Sequence, residues 1–84
     1  MIVKVQEFKD NVVGVWEEQI YSNVEKVFRF RDANSDEFLN LKIKNQEELE
    51  LIPVTHFDEN GNHPSLVGAI WLMNDEGKTI ERLV

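Results

Sequence analysis

The chain has 84 residues, 42% hydrophobic and 30% charged, with no cysteine and a formal charge of −7 from sixteen acidic and nine basic side chains. This is the composition of one small globular domain spanning residues 1–84, too short for two, without disulfides or thiol chemistry and without the roughly 20-residue apolar run that spans a bilayer. The negative charge disfavours a general nucleic-acid binder, because backbone phosphates are repelled, and favours partners with basic surfaces.

The opening MIVKVQEF lacks a basic n-region, a long apolar segment and a small-residue cleavage site, so it is read as a first strand rather than a signal peptide, and a cytoplasmic protein is expected. IVKVQEF (2–8) alternates apolar and polar residues and is followed by the turn cluster KDN. VVGVWEEQIY (12–21) begins with β-branched residues, and SN at 22–23 marks another turn. KVFRFRD (26–32) and FLNLKIKN (38–45) flank the polar turn ANSDE, and ELELIPVTHF (48–57) leads into THFDENGNH. LVGAIWLMN (66–74) and KTIERLV (78–84) flank DEG, where Gly77 can supply the positive φ of a three-residue hairpin loop. Short strands at this spacing predict an all-β antiparallel barrel or sandwich of six to seven strands.

One segment admits a second reading. Val13, Trp16, Ile20, Val24 and Val27 fall at helical spacing, which would give an α+β protein with a helix around 13–28 packed on an antiparallel sheet. Against it, Glu17 lies inside that stripe, about 40° from Val13. Gly14 and the cluster Val12, Val13 and Val15 also weaken a helix. A β-hairpin is therefore preferred.

Both histidines, His56 and His63, flank Asp58 and Glu59. An EF-hand loop starting at Asp58 would have ligand types at Asp58, Asn60 and Asn62, but it has His63 where glycine is required and Ala69 where glutamate is required. Zinc at His56, Asp58 and His63 would draw three ligands from one loop with no cysteine. Asn60-Gly61 is instead a strong hairpin signal. A two-residue loop there pairs Glu59 with Asn62 and Phe57 with Pro64, and the missing proline N–H ends the ladder, leaving 58–64 as a polar loop. No metal and no cofactor are expected.

Nucleophilic catalysis has little to work with. Ser22, Ser35 and Ser65 all sit in turns, and His63 stands near Ser65 with no orienting carboxylate on a rigid element. Glu17-Glu18, Glu47-Glu48 and Asp58-Glu59 are sequence neighbours, which point to opposite faces of a strand. None of the glycines sits in a phosphate-binding motif. The chain is not expected to be an enzyme.

Charge patterning is more informative. A four-residue loop at 33–36 would pair Phe30 with Leu39 and Phe28 with Leu41, burying both apolar faces. The same register gathers Arg29, Arg31, Lys42 and Lys44 on the outside as an anion-binding stripe. Acidic residues cluster at Glu47, Glu48 and Glu50, at Asp58 and Glu59, and at Asp75 and Glu76, predicting an acidic rim at one or both ends of the sheet. Such a rim can dock a basic protein surface. Trp16, Trp71 and Phe28 are read as core residues, with Trp71 sharing a face with Leu83 if Met73 pairs with Thr79. Ile70, Leu72 and Ile80 would then line the other face, so that both faces of this last hairpin need cover: either it is a central strand pair, or one face meets another chain or a second copy.

Size, acidity and the lack of catalytic groups fit small stand-alone bacterial or phage proteins that bind and modulate a larger protein. The expected function is an intracellular protein-interaction module, an inhibitor or modulator of a basic-surfaced partner. The alternatives are a β-barrel nucleic-acid binder using the basic strand face, and a metal-binding module or enzyme at the 56–63 loop.

Overall fold

A computed structural model describes residues 1–8 and 14–84. The described residues form seven strands and no helix: β1 (Ile2–Phe8), β2 (Trp16–Tyr21), β3 (Val24–Arg31), β4 (Glu37–Ile43), β5 (Glu50–Pro53), β6 (Val67–Met73) and β7 (Thr79–Arg82). Two antiparallel sheets result, one ordered β2-β1-β6-β7 and the other β3-β4-β5. The all-β expectation is met. The helix alternative fails where 16–21 and 24–31 are both strands, and its Val13 lies outside the described residues. The hairpin reading of that segment needs correction too: β2 pairs with β1 and β3 with β4, so the two strands belong to different sheets.

Three of the turns share one local device. Asp32, Asp58 and Asn74 each accept, through Oδ1, the N–H groups two and four residues on. The carbonyl of each also accepts the N–H three residues on, at Ser35, Gly61 and Gly77. Those fourth residues have φ of +66°, +80° and +85°. The short side chain at the first position satisfies backbone donors that a tight turn would orphan, and the left-handed fourth residue returns the chain for antiparallel pairing. Each device closes a three-residue loop. Around Gly77 that is the expected loop, with Met73 opposite Thr79. Around Gly61 the loop is one residue longer than expected. The Asp58 N–H donates to the Asn62 carbonyl, and pairing runs on past the proline, whose carbonyl accepts the His56 N–H before Thr55 bridges Ser65.

The sheets share one core. Val3 and Val5 of β1 and Val67 and Ile70 of β6 pack with Val24, Leu39, Leu41, Ile52 and Val54 from the other side. Leu39, Leu41 and Ile70 are fully buried, and a leucine lost from such a position costs about 2–5 kcal/mol. Two corners join the sheets: Met1 and Val24 exchange backbone hydrogen bonds at 2.9 Å each, and Val54 accepts the Leu66 N–H at 2.7 Å.

Irregularities in pairing decide which side chains face out. In β6–β7 a bulge leaves Ile80 unmatched, so Trp71 lies opposite Arg82 and Leu72 opposite Glu81. Leu83 consequently joins the core beside Ile70 rather than the face of Trp71, as the hydrogen bond from its N–H to the Ile70 carbonyl shows. In β1–β6 the unmatched residue is Gly68. A Cβ there would come within 2.6 Å of the Trp16 ring, so glycine is what lets Trp16 lie over β6, stacked on Phe8 with ring centroids 4.0 Å apart. Trp16, 41% exposed, and the half-buried Trp71 thus stand on the outer face, not in the core.

Candidate functional site: the outer face of β3, β4 and β5

The turn between β3 and β4 runs from Asp32 to Asp36, so Arg31 lies opposite Glu37, Phe30 opposite Phe38, Arg29 opposite Leu39, Phe28 opposite Asn40 and Val27 opposite Leu41. This is one residue away from the expected register, and a one-residue slip sends every side chain of a strand to the other face. Leu39 and Leu41 point into the core, so Val27, Arg29 and Arg31 share the inner face. Phe28 and Phe30 are turned out, 45% and 49% exposed. Phe28 is therefore not a core residue.

On the same outer face β4 contributes Phe38, Asn40 and Lys42, and β5 contributes Leu51 opposite Asn40 and Pro53 opposite Phe38. Leu51 is 51% exposed. The Phe30 and Phe38 rings tilt together at 6.0 Å, and Lys26 sits opposite Lys42 at one end. The result is an apolar, aromatic sheet face open to solvent, the kind of patch that marks an interaction surface.

The basic stripe is redistributed by this register. On the inner side of the edge strand, Arg29 Nε lies 2.9 Å and Arg31 Nη2 3.6 Å from the Glu37 carboxylate, at a stretch where β3 runs beyond the core and both arginines stay exposed. A surface cleft of about 340 Å³ lies along this end of β3, lined by Arg29, Phe30, Arg31 and Glu37. Lys42 is on the opposite face, its ammonium turned onto the Ile43 and Gln46 carbonyls. Lys44 lies past the end of β4, exposed. The four cations do not form one stripe.

The acidic residues divide between the ends of the fold. Antiparallel pairing brings the β4–β5 turn, with Glu47, Glu48 and the start of β5 at Glu50, to the same end as the β6–β7 turn with Asp75 and Glu76. Asp58 and Glu59 lie at the other end. Glu47, Glu48, Glu59 and Glu76 are exposed and enter no ion pair among the described residues. Asp75 sits 3.2 Å from the Met1 ammonium, and Glu50 Oε2 accepts from the Gln46 amide at 3.3 Å. Tyr21 lies against the core on the inner side of β2. Burial first, then the Glu50 and Glu7 carboxylates, raise its phenol above the usual 10.0.

The histidine loop is occupied with holding the fold. His63 Nδ1 lies 2.9 Å from Oδ1 of the buried Asp36, and its ring rests 5.4 Å from that of Phe57. Beside it the Glu37 N–H donates to Thr55 Oγ1 at 2.7 Å. Together these contacts fasten the 54–66 segment to the β3–β4 turn. Asp58 Oδ1 is taken by its own loop, and His56 is exposed. Among the described residues no three His, Asp or Glu side chains converge as metal ligands. The Ser65 hydroxyl donates to the Val67 carbonyl at 2.7 Å.

Sequence reasoning missed the outward aromatic face. The signal was present in DANSD (32–36), which has the same form as NDEGK (74–78) but places Ser35 where the glycine stands. Among the described residues no helix is long and apolar enough to cross a membrane. No protein-family model, curated protein or solved structure matches this chain.

Proposed function

We propose that the chain is a protein-interaction module that modulates a larger protein, docking it on the outer face of β3, β4 and β5. The observation that carries this reading is the exposure of Phe28, Phe30 and Leu51 on one face of a sheet whose other face builds the core, with Phe28 and Leu51 on either side of Asn40. An aromatic and aliphatic surface of this kind supplies contact area at low entropic cost and is characteristic of the anchoring centre of an interface. The exposed Glu47 and Glu48, in the turn joining β4 to β5, would meet a basic rim on the partner and speed its approach. The partner is thus a protein with an apolar patch bordered by lysine or arginine, and the role is binding rather than catalysis.

Capture of one stoichiometric protein from the host lysate tests this with three variants alongside the native chain. Phe28→Ser with Leu51→Ser should abolish capture. Glu47→Lys with Glu48→Lys should weaken it and reduce its sensitivity to salt. Arg82→Ser, a surface change on the other sheet, should leave it intact. Capture that survives loss of Phe28 and Leu51 contradicts the reading.

A second reading draws on Lys26 and Lys42 beside Phe28 and Phe30. Aromatic rings interleaved with cations can stack the bases of a single strand. It differs from the stripe read in the sequence, since the cations on this face exclude Arg29 and Arg31, and the net charge of −7 opposes it. Anisotropy of a labelled single-stranded oligonucleotide at low salt separates the two. Binding that is lost on reversing Lys26 and Lys42 favours nucleic acid.

A further inference from the structure

β3 is the edge of its sheet, and its unpaired backbone groups are a template for another strand. Among the described residues only its first is engaged on that side, where Val24 bonds Met1. A bulge follows at Glu25, which has no partner on β4. From Lys26 to Arg31 the strand is regular, contains no proline or glycine, and is exposed at every position but Val27. The cleft lined by Arg29, Phe30, Arg31 and Glu37 lies along this edge.

From this we infer that β3 pairs with β3 of a second copy, antiparallel about a two-fold axis through Phe28, to give a six-stranded sheet across the dimer. Symmetry restricts the choice of register. If the outer faces of both copies stay on one side, the axis must pass through a residue, because opposed residues share a face. An axis at Arg29 sets Arg29 against its own copy in a like-charge pair. An axis at Val27 leaves only residues 26–28 before the bulge. An axis at Phe28 uses the whole stretch from Lys26 to Phe30. It sets Phe28 against Phe28, places the Lys26 ammonium opposite the Phe30 ring of the other copy where a cation can meet an aromatic face, and brings the end carrying Arg31 to the end carrying Glu25. Glu25 makes no ion pair within its own chain among the described residues. An axis at Val27 would give like complementarity, Lys26 beside Phe28 and Glu25 towards Arg29, but over that shorter stretch, so the Phe28 axis is the one that combines complementary partners with the full regular length of the strand.

Pairing engages the edge of β3 and leaves the outer face open, doubling its length. It therefore goes beyond the partner-docking reading, and either can fail without the other.

The native chain, with no cysteine, makes the register directly testable. Sedimentation velocity should show a concentration-dependent monomer–dimer equilibrium. Reversing Glu25 (Glu25→Arg) or Arg31 (Arg31→Glu) singly should weaken it about tenfold, and the two reversals together should restore it. Under mild oxidation Phe28→Cys should cross-link to itself. Lys26→Cys and Phe30→Cys should cross-link to each other when mixed, and much more slowly each to itself. A chain that stays monomeric at the highest concentrations used for NMR overturns the inference. So does self-linking at position 30 as fast as at position 28.

Discussion

The two sheets treat their outer aromatics differently. On the β2-β1-β6-β7 sheet, Trp16 stacks on Phe8 and lies over Gly68, and Lys4 reaches across Trp71, its Nζ 5.1 Å from the ring centroid and 3.4 Å from Glu18. Each large ring there leans on a neighbour from an adjacent strand. On the β3-β4-β5 sheet, Phe30 leans on Phe38, but Phe28 and Leu51 stand about half exposed. The first sheet covers its outer rings with its own neighbours, although its aliphatic Ile20 and Ile80 stay exposed; the second leaves an aromatic surface to be completed by something else. Aromatic content alone does not make a docking face: what matters is whether the same chain already covers it.

Matched truncations expose the contrast most strongly. Trp16→Ala removes the stack on Phe8 and uncovers β6, and should cost about 1–2 kcal/mol for a ring that is partly buried and paired. Phe28→Ala on the open face should change stability by less than about 0.5 kcal/mol. Urea denaturation midpoints at constant slope measure both. Equal losses would mean that the two faces are packed alike.

A smaller effect tests how the covered face is built. Gly68→Ala puts a Cβ against the Trp16 ring, which must move off β6. Stability should fall by about 1 kcal/mol and tryptophan emission should shift to the red. An unchanged spectrum would show that Trp16 does not lie over Gly68.

The smallest effect lies beneath the faces, at Tyr21. Its phenol is neutral and its pKa raised in the folded chain by burial and by Glu50 and Glu7. The folded state thus holds this proton more tightly than the unfolded chain does. The contribution is complete below the unfolded value of about 10 and is lost as pH rises through the raised folded value. Tyr21→Phe should flatten the alkaline limb of a stability–pH curve and leave neutral pH almost unaltered.

How the sequence encodes this molecule follows from its turns. Two-residue alternation locates all seven strands, because half-buried strands must place apolar side chains on one face. Glycine made the Asn74–Lys78 turn readable, and Met73 does face Thr79. The Asp32–Asp36 turn adopts the same form with Ser35 in the left-handed position, a conformation that non-glycine residues seldom adopt. Its length was misjudged by one residue, and that single residue moved Phe28 and Phe30 from the core to the surface and separated Arg29 and Arg31 from Lys42. Asp58–Asn62 departs in the opposite direction, one residue longer than expected, since the Asp58 carboxylate favours a three-residue loop over the two-residue turn that Asn-Gly suggests. The bulge at Ile80 leaves no comparable mark in composition, and Gly68 inside β6 marks an irregularity without saying which side chains it turns, so the positions of Trp71 and Leu83 were not legible. Strand identity is written locally; facing is written in turn length and bulges.

The register of β3 against β4 carries the central claim, and cross-strand nuclear Overhauser contacts measure it without altering a residue. Backbone contacts pairing Phe28 with Asn40 and Phe30 with Phe38 are expected, with Arg29 opposite Leu39. Contacts pairing Phe28 with Leu41 and Phe30 with Leu39 would return both phenylalanines to the core and remove the open face on which the proposed function rests.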